Sequence, residues 1–192
     1  MKRIKIAFLL FFFLSAKLIA GEFSGWGLKL GYNSSIFTGS DIPGKGVNSQ
    51  PGIAMGSFIC YKFNEMFSLQ QEVLFTTKGS KINTIGDVIL SNFFVYLELP
   101  LLAKASFLSE YWLKPNIYMG PALVIKLAAF NNAGFLEDIR GFDLGVVIGG
   151  SIEVWKISLD VRFNKGLVNF DESADDIDLK NQTFSILIGY AF

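Results

Sequence analysis

From Gly25 onward, apolar and polar side chains alternate in short runs, the period of strands whose two faces meet different surroundings. The first run, Trp26 to Ser34, sets Trp26, Leu28, Leu30 and Tyr32 against Gly27, Lys29, Gly31 and Asn33. The second, Gly52 to Phe63, sets Ile53, Met55, Ile59, Tyr61 and Phe63 against Ala54, Gly56, Phe58, Cys60 and Lys62. After Asn64-Glu65-Met66, a third strand from Phe67 to Lys78 opposes Phe67, Leu69, Val73 and Phe75 to Ser68, Gln70, Glu72, Thr76 and Lys78. The fourth, Asn92 to Leu102, carries Phe93, Val95, Leu97, Leu99 and Leu101 opposite Asn92, Tyr96 and Glu98. Pro100 has no N–H to give a ladder, which predicts a strand end or a bulge there.

A fifth strand is predicted over Trp112 to Lys126, with Pro115 and Pro121 inside it and Leu113, Ile117, Met119, Leu123 and Ile125 on its apolar face. The sixth, Phe142 to Val154, opposes Leu144, Val146, Ile148 and Ile152 to Asp143, Gly145, Gly149, Ser151 and Glu153. Trp155-Lys156 is a turn. The seventh opposes Ile157, Leu159, Val161 and Phe163 to Ser158, Asp160, Arg162 and Asn164. The last opposes Phe184, Ile186, Ile188, Tyr190 and Phe192 to Thr183, Ser185, Gly189 and Ala191.

The connections alternate in length. Long polar segments follow the odd strands, at Ser35 to Pro51, Gly79 to Ser91, Leu127 to Gly141 and Lys165 to Gln182. Shorter ones follow the even strands, Ala103 to Tyr111 being the longest. Long loops at one end and short turns at the other is the layout of outer-membrane barrels, with the termini in the periplasm.

Alternation alone also fits a soluble sandwich or a lipocalin-like barrel. Two features favour lipid outside. The polar faces hold Gly27, Gly31, Gly56, Gly145, Gly149, Ser151, Gly189 and Ala191, and glycine suits a crowded lumen better than a water-facing strand. The opposite faces are almost free of charge, as contact with lipid demands. Aromatic residues then gather at the turn end, where a girdle is predicted: Trp26, Tyr61, Phe63, Phe67, Trp112, Trp155, Tyr190 and Phe192.

The prediction is therefore an all-β protein, an eight-stranded antiparallel up-and-down transmembrane β-barrel. A barrel of this size has an interior just filled by side chains. Lys29, Lys62, Glu72, Glu98, Lys126, Asp143, Glu153, Asp160 and Arg162 fall on its inner face, with both signs present. A paired network plugging the lumen is expected, because buried charges need partners.

Composition agrees. The 192 residues are 51% hydrophobic and 15% aromatic, yet no run approaches the roughly 18 apolar residues of a membrane-spanning helix. Lys2, Arg3 and Lys5 precede the apolar run Ile6 to Leu14, the pattern of a signal peptide. Residues 1–20 are read as that peptide, cleaved after Ala20, and 21–192 as the barrel domain. The placement that follows is the bacterial outer membrane. Cys60, the single cysteine, has no internal partner for a disulfide and lies too far along to be a lipoprotein anchor. With 17 basic and 17 acidic residues, net charge points to no nucleic acid.

Several stretches resemble the PorT-like outer-membrane β-barrel family of Bacteroidetes. They are Gly27-Leu28-Lys29-Leu30-Gly31-Tyr32-Asn33, Tyr61-Lys62-Phe63 with Phe67-Ser68-Leu69-Gln70-Gln71-Glu72-Val73-Leu74-Phe75, Tyr96-Leu97-Glu98-Leu99-Pro100-Leu101-Leu102, and Asp160-Val161-Arg162-Phe163. The resemblance runs from Gly25 to Phe192. It implies a small barrel akin to OmpA and OmpX, carries no catalytic motif, and has a namesake tied to protein secretion. Phe192 is similar to the terminal aromatic that barrel-assembly machinery reads.

The chemistry is sparse. No histidine is present, so the commonest general base and metal ligand is missing. No catalytic residue, cofactor or metal is expected. Asp171, Glu172, Asp175, Asp176 and Asp178 lack the central glycine of a calcium loop and are read as a solvated loop. Gly44-Lys45-Gly46 lacks the rest of a phosphate loop and is read as a turn. The leading expectation is a non-enzymatic structural, interaction or secretion-accessory barrel with a plugged, porin-like fold. Its expected partners are outer-membrane lipid, the assembly machinery through the last strand, and an unidentified partner of the long loops. The alternatives are an outer-membrane lipid-modifying enzyme and a soluble periplasmic lipocalin-like ligand-binding barrel.

Overall fold

The computed structural model describes residues 21–38, 47–83, 89–107, 112–131, 134–135, 142–167 and 180–192. Their strands are β1 (Glu22–Thr38), β2 (Val47–Lys62), β3 (Phe67–Asn83), β4 (Ile89–Ser106), β5 (Leu113–Asn131), β6 (Gly134–Phe135), β7 (Phe142–Val154), β8 (Ile157–Gly166) and β9 (Lys180–Ala191). All long strands pair antiparallel with their sequence neighbours, and β9 returns to β1 with Lys29 opposite Gly189 and Leu30 opposite Ile188. The eight long strands thereby close into a barrel. The two-residue β6 only folds back on the end of β5. Closure removes every sheet edge, so the backbone is satisfied within the wall.

The faces are inside-out for a soluble protein. Along β8, Val161 and Phe163 are exposed while Asp160, Arg162 and Asn164 are buried. On the outside Ile188 is 60% exposed, and in the lumen Glu72 is 0%. A lipocalin-like barrel would turn its apolar face inward. The structure therefore sets aside the soluble ligand-binding reading. Between β8 and β9 the apolar outward pairs run as far as Phe163 with Phe184, and the next outward pair is Lys165 with Gln182. From Phe184 to Phe192 the strand rises about 27 Å at 3.4 Å per residue. A tilt near 40° turns that into about 20 Å of membrane depth.

Strand β7 has the predicted bounds, but several others run longer. β1 reaches Thr38, β2 begins at Val47, β3 reaches Asn83 and β5 reaches Asn131. These extensions are mixed in sequence at the long-loop end, as in Ser35-Ile36-Phe37-Thr38 of β1 and Leu127-Ala128-Ala129-Phe130 of β5, so hydrogen-bonded pairing continues there without a period-two pattern to signal it. The expected long connections are shorter in consequence. The glycine-lysine turn at 44–46, the acidic tract at 171–178 and the signal segment 1–20 lie outside the described residues.

At the turn end β4 continues to Ser106, so Ala103 to Ser106 is strand rather than connection. Pro100 lies well inside β4, and the β3–β4 ladder keeps its register while skipping Glu72–Val73 and Leu99–Pro100. The Gln71 side chain fills this gap: its Nε2 donates to the carbonyls of Pro100 at 3.0 Å and Glu72 at 3.1 Å. The β4–β5 ladder likewise skips Gly120–Pro121. Leu99, Leu101 and Leu123 occupy the outward register as predicted, yet they are buried within the wall, Leu99 pairing directly with Leu123.

Candidate functional site: the lumen network and its rim

Period-two alternation points Lys29 on β1, Gln70 and Glu72 on β3, and Ser158, Asp160 and Arg162 on β8 into one lumen. The three strands share no ladder with one another, yet their side chains meet. Lys29 Nζ donates to Glu72 Oε1 at 2.8 Å and to Asp160 Oδ1 at 3.0 Å. Arg162 Nη1 donates to Glu72 Oε2 at 2.6 Å, and Nη2 to Oε1 at 3.3 Å. Gln70 Nε2 adds a bond to Glu72 Oε1 at 2.6 Å, and Ser158 Oγ one to Asp160 Oδ2 at 3.1 Å. Two cations and two carboxylates cancel, and every one of these four side chains is at most 4% exposed.

Aromatic rings bracket this tier. Lys29 Nζ lies 5.3 Å from the centre of Phe58, and the Arg162 guanidinium 5.6 Å from Tyr118. Both rings need a missing side chain beside them. A Cβ on Gly27 would stand 2.6 Å from Phe58, and one on Gly149 2.7 Å from Tyr118. At Gly27 a Cβ would also stand 2.2 Å from the backbone carbonyl of Tyr190, so glycine is required there, whereas at Gly149 only the end of the Tyr118 side chain obstructs it.

Two further ties cross the lumen. Lys78 Nζ lies 2.5 Å from Glu98 Oε1, which also accepts from Thr76 Oγ1 at 2.9 Å, while Asn164 Nδ2 reaches Glu98 Oε2 at 3.4 Å. Nearer the turn end, Lys104 of β4 pairs with Glu153 of β7 across the intervening β5. Apolar side chains fill the remaining space, with Leu102, Tyr118, Ala122 and Val147 in one cluster. Two small cavities flank the central tier. One of about 110 Å³ is reached by Lys29 and Asp160, and one of about 10 Å³ by Arg162, Glu98 and Lys78.

Of the nine residues assigned to the lumen from sequence, Lys29, Glu72, Asp160 and Arg162 share the central tier. Glu98 and Glu153 head the other two ties. Lys62 instead pairs with Glu65 in the β2–β3 turn at 2.8 Å, and this neighbouring ammonium holds the Glu65 carboxyl below its usual range. Lys126 lies toward the long-loop end, 5.0 Å above the Phe94 ring and under the electrostatic pull of Asp143. Sequence reading left Gln70, Lys78 and Lys104 out of the network. Lys104 keeps the parity of Glu98 and Leu102, and that continued period was the signal for it.

The rim residues Trp26, Phe63, Phe67, Trp112, Trp155, Tyr190 and Phe192 are exposed on the outer face at the turn end, and Tyr61 is half-buried among them. Trp26 stacks on Phe192 at 4.4 Å, and Phe192 meets Tyr190 edge-on at 5.1 Å. Phe23 joins the cluster unannounced, edge-on to Tyr61 at 5.8 Å. A bulge between Phe23 and Gly25 shifts the register, and Gly25 takes φ 148°, a value open to glycine. That extra residue puts Phe23 and Trp26 on the same face.

A closed eight-stranded barrel with an apolar band outside, aromatic residues at one rim and paired charges inside is a small outer-membrane barrel. The chain belongs to the family described as the outer membrane protein beta-barrel domain, whose model matches residues 19–172. It lies in the bacterial outer membrane. Among solved structures it is similar to Neisserial surface protein A, with a TM-score of 0.51 and 16% identity over 88% of this chain and 99% of that one. It is also similar to Ail, the attachment invasion locus protein of Yersinia pestis, in complex with the heparin analogue sucrose octasulfate. There the TM-score is 0.53, with 16% identity over 89% of this chain and 99% of that one. At these identities the likeness is one of fold. No curated protein sequence matches the chain.

Proposed function

We propose that the protein is a non-enzymatic barrel whose lumen is plugged, serving as a structural, interaction or secretion-accessory component of the outer membrane. In this reading residues 1–20 are removed on export. The turn end faces the periplasm, and the long-loop end meets an outside partner. Outer-membrane lipid surrounds the band, and β9, with Tyr190 and Phe192 outward, is the strand read by the assembly machinery. The resemblance to PorT-like proteins of Bacteroidetes supports the secretion-accessory variant.

The observation that carries the plugged reading is the buried Lys29–Glu72–Arg162–Asp160 tier. A neutral cluster across a narrow lumen, in which both carboxylates are tied to both cations, leaves no net charge to draw ions through and resists rearrangement. The test is single-channel recording of the refolded protein in planar bilayers. A quiet membrane is expected with the wild type, and a steady open conductance in it overturns the proposal.

A further inference from the structure

The connection between β7 and β8 is only Trp155 and Lys156, with Val154 pairing directly with Ile157 across it. Trp155 takes φ 55°, the one non-glycine residue with a positive φ among the described residues. That left-handed value crowds a Cβ against the backbone, and short hairpin turns give such a place to Gly, Asn or Asp. Trp155 holds it while 92% exposed, so packing within the barrel does not offset the strain. An exposed indole kept in a strained turn at the edge of an apolar band points to what lies outside the wall.

The rest of the turn is pinned beside it. Ala191 N donates to the Lys156 carbonyl at 2.8 Å, and Ile157 pairs with Tyr190, which ties the turn to the last strand. The Lys156 ammonium lies 6.0 Å from the centre of the outward Tyr190 ring and forms no ion pair among the described residues. Glu153, three places back, is tied to Lys104 instead. Trp155, Lys156 and Tyr190 thus present an indole N–H, an ammonium and a phenol, a set dominated by donors. At the edge of a lipid-facing band, the acceptors that answer such a set are the phosphodiester oxygens of headgroups. The unpaired cation favours a headgroup of net negative charge over a zwitterionic one, whose own ammonium competes for the phosphate.

We propose that Trp155, Lys156 and Tyr190 form a docking site for an anionic phospholipid, its phosphodiester on the Lys156 ammonium. The acyl chains then lie along Ile157, Leu159 and Ile188, which are exposed on the same face. The indole holds the turn at headgroup depth. The choice of a phospholipid rests on the turn end facing the periplasm, as proposed above, whereas the site itself needs only a membrane surface at that end.

The three tryptophans of the chain, Trp26, Trp112 and Trp155, are all exposed at the turn end, so their fluorescence reports on one leaflet. With Trp26 and Trp112 replaced by Phe, Trp155 reports alone. The full chain is folded into symmetric vesicles of phosphatidylcholine and phosphatidylglycerol, with bromine as quencher on the acyl chains of one lipid or of the other. Phosphatidylglycerol is expected to be enriched about fivefold beside Trp155 at low ionic strength, the effect of one lysine near an anionic surface. The enrichment should vanish in about 1 M salt. Lys156→Gln should remove it while leaving intact the heat-dependent gel shift of a folded barrel. Lys165→Gln, on the outward face at the other end of β8, should leave it unchanged. Equal quenching by the two brominated lipids at low salt, an enrichment that survives Lys156→Gln, or one that Lys165→Gln removes as fully overturns the proposal. Symmetric vesicles offer phosphatidylglycerol to both ends of the barrel, so such a failure leaves the periplasmic placement of the turn end untouched.

Discussion

Arg162 and Glu72 meet through a two-pronged ion pair, Nη1 to Oε2 at 2.6 Å and Nη2 to Oε1 at 3.3 Å, from strands 90 residues apart in sequence that share no ladder. Such a fork fixes both the separation and the rotation of the two staves it joins. Lys29, from a third strand, closes the triangle on the same carboxylate.

Glu72 accepts from three side chains, so its removal leaves two buried cations, Lys29 and Arg162, to share the single carboxylate of Asp160. Glu72→Ala is expected to destabilise the barrel by about 3–5 kcal/mol, the range for breaking a buried pair on one side. Glu98→Ala strands a single cation, Lys78, and should cost less. Thermal and urea unfolding in detergent measure both. An unchanged midpoint for Glu72→Ala sinks the network as a stabilising element.

The apolar band makes a depth-dependent prediction. Ile188 lies on the outward register between Leu30 and Leu159, midway along β9's apolar stretch. Ile188→Arg should cost ~2–4 kcal/mol in lipid vesicles, while Phe184→Arg, at the edge of the band, should cost ~0–1 kcal/mol. Equal costs at the two positions contradict the placement of the band. Equal costs in detergent do not, since micelles conform to the protein.

Tyr118 crosses the lumen over Gly149, where a Cβ would lie 2.7 Å from the ring and its hydroxyl. Gly149→Ala is therefore expected to cost about 1–3 kcal/mol through overpacking. Because the obstructing atoms are the end of one side chain, the cost should shrink in a Tyr118→Leu background. Additive changes in a double-mutant cycle would place the strain in the backbone instead.

Legibility in the sequence followed the physics of alternation. Where lipid lies outside and charge inside, as along Ile157 to Asn164, parity alone assigned each face. Toward the long-loop end the two faces no longer differ, as in Ser35-Ile36-Phe37-Thr38 of β1, and the ends of β1, β2 and β3 left no period-two trace. Parity also carries no memory of a bulge, which is how Phe23 escaped notice before Gly25. Period two says which residues point inward but not which strands face one another across the lumen. Lys29, Glu72 and Arg162 were therefore each legible as lumen residues, whereas their meeting at one point depended on the stagger and closure of the whole barrel. Lys62 shows the reverse limit: its parity is inward, but its place at the end of β2 gives it the turn residue Glu65 as partner.

Pro100 supplies the last prediction, because a proline inside a barrel wall opens a local gap that something must fill. The skipped pairs, Glu72 with Pro100 and Val73 with Leu99, leave the carbonyls of Glu72 and Pro100 to the Gln71 amide. Gln71→Leu removes that donor on the lipid side, where water is a poor substitute, and should cost about 1–3 kcal/mol for the unsatisfied acceptors. Pro100→Ala restores an N–H to β4 and allows the ladder to close across the gap, so Gln71 then has less to repair. The two substitutions together are expected to cost less than the sum of each alone by about 0.5–3 kcal/mol in urea unfolding. Strict additivity would mean that Gln71 stabilises the wall by some route other than the gap at Pro100.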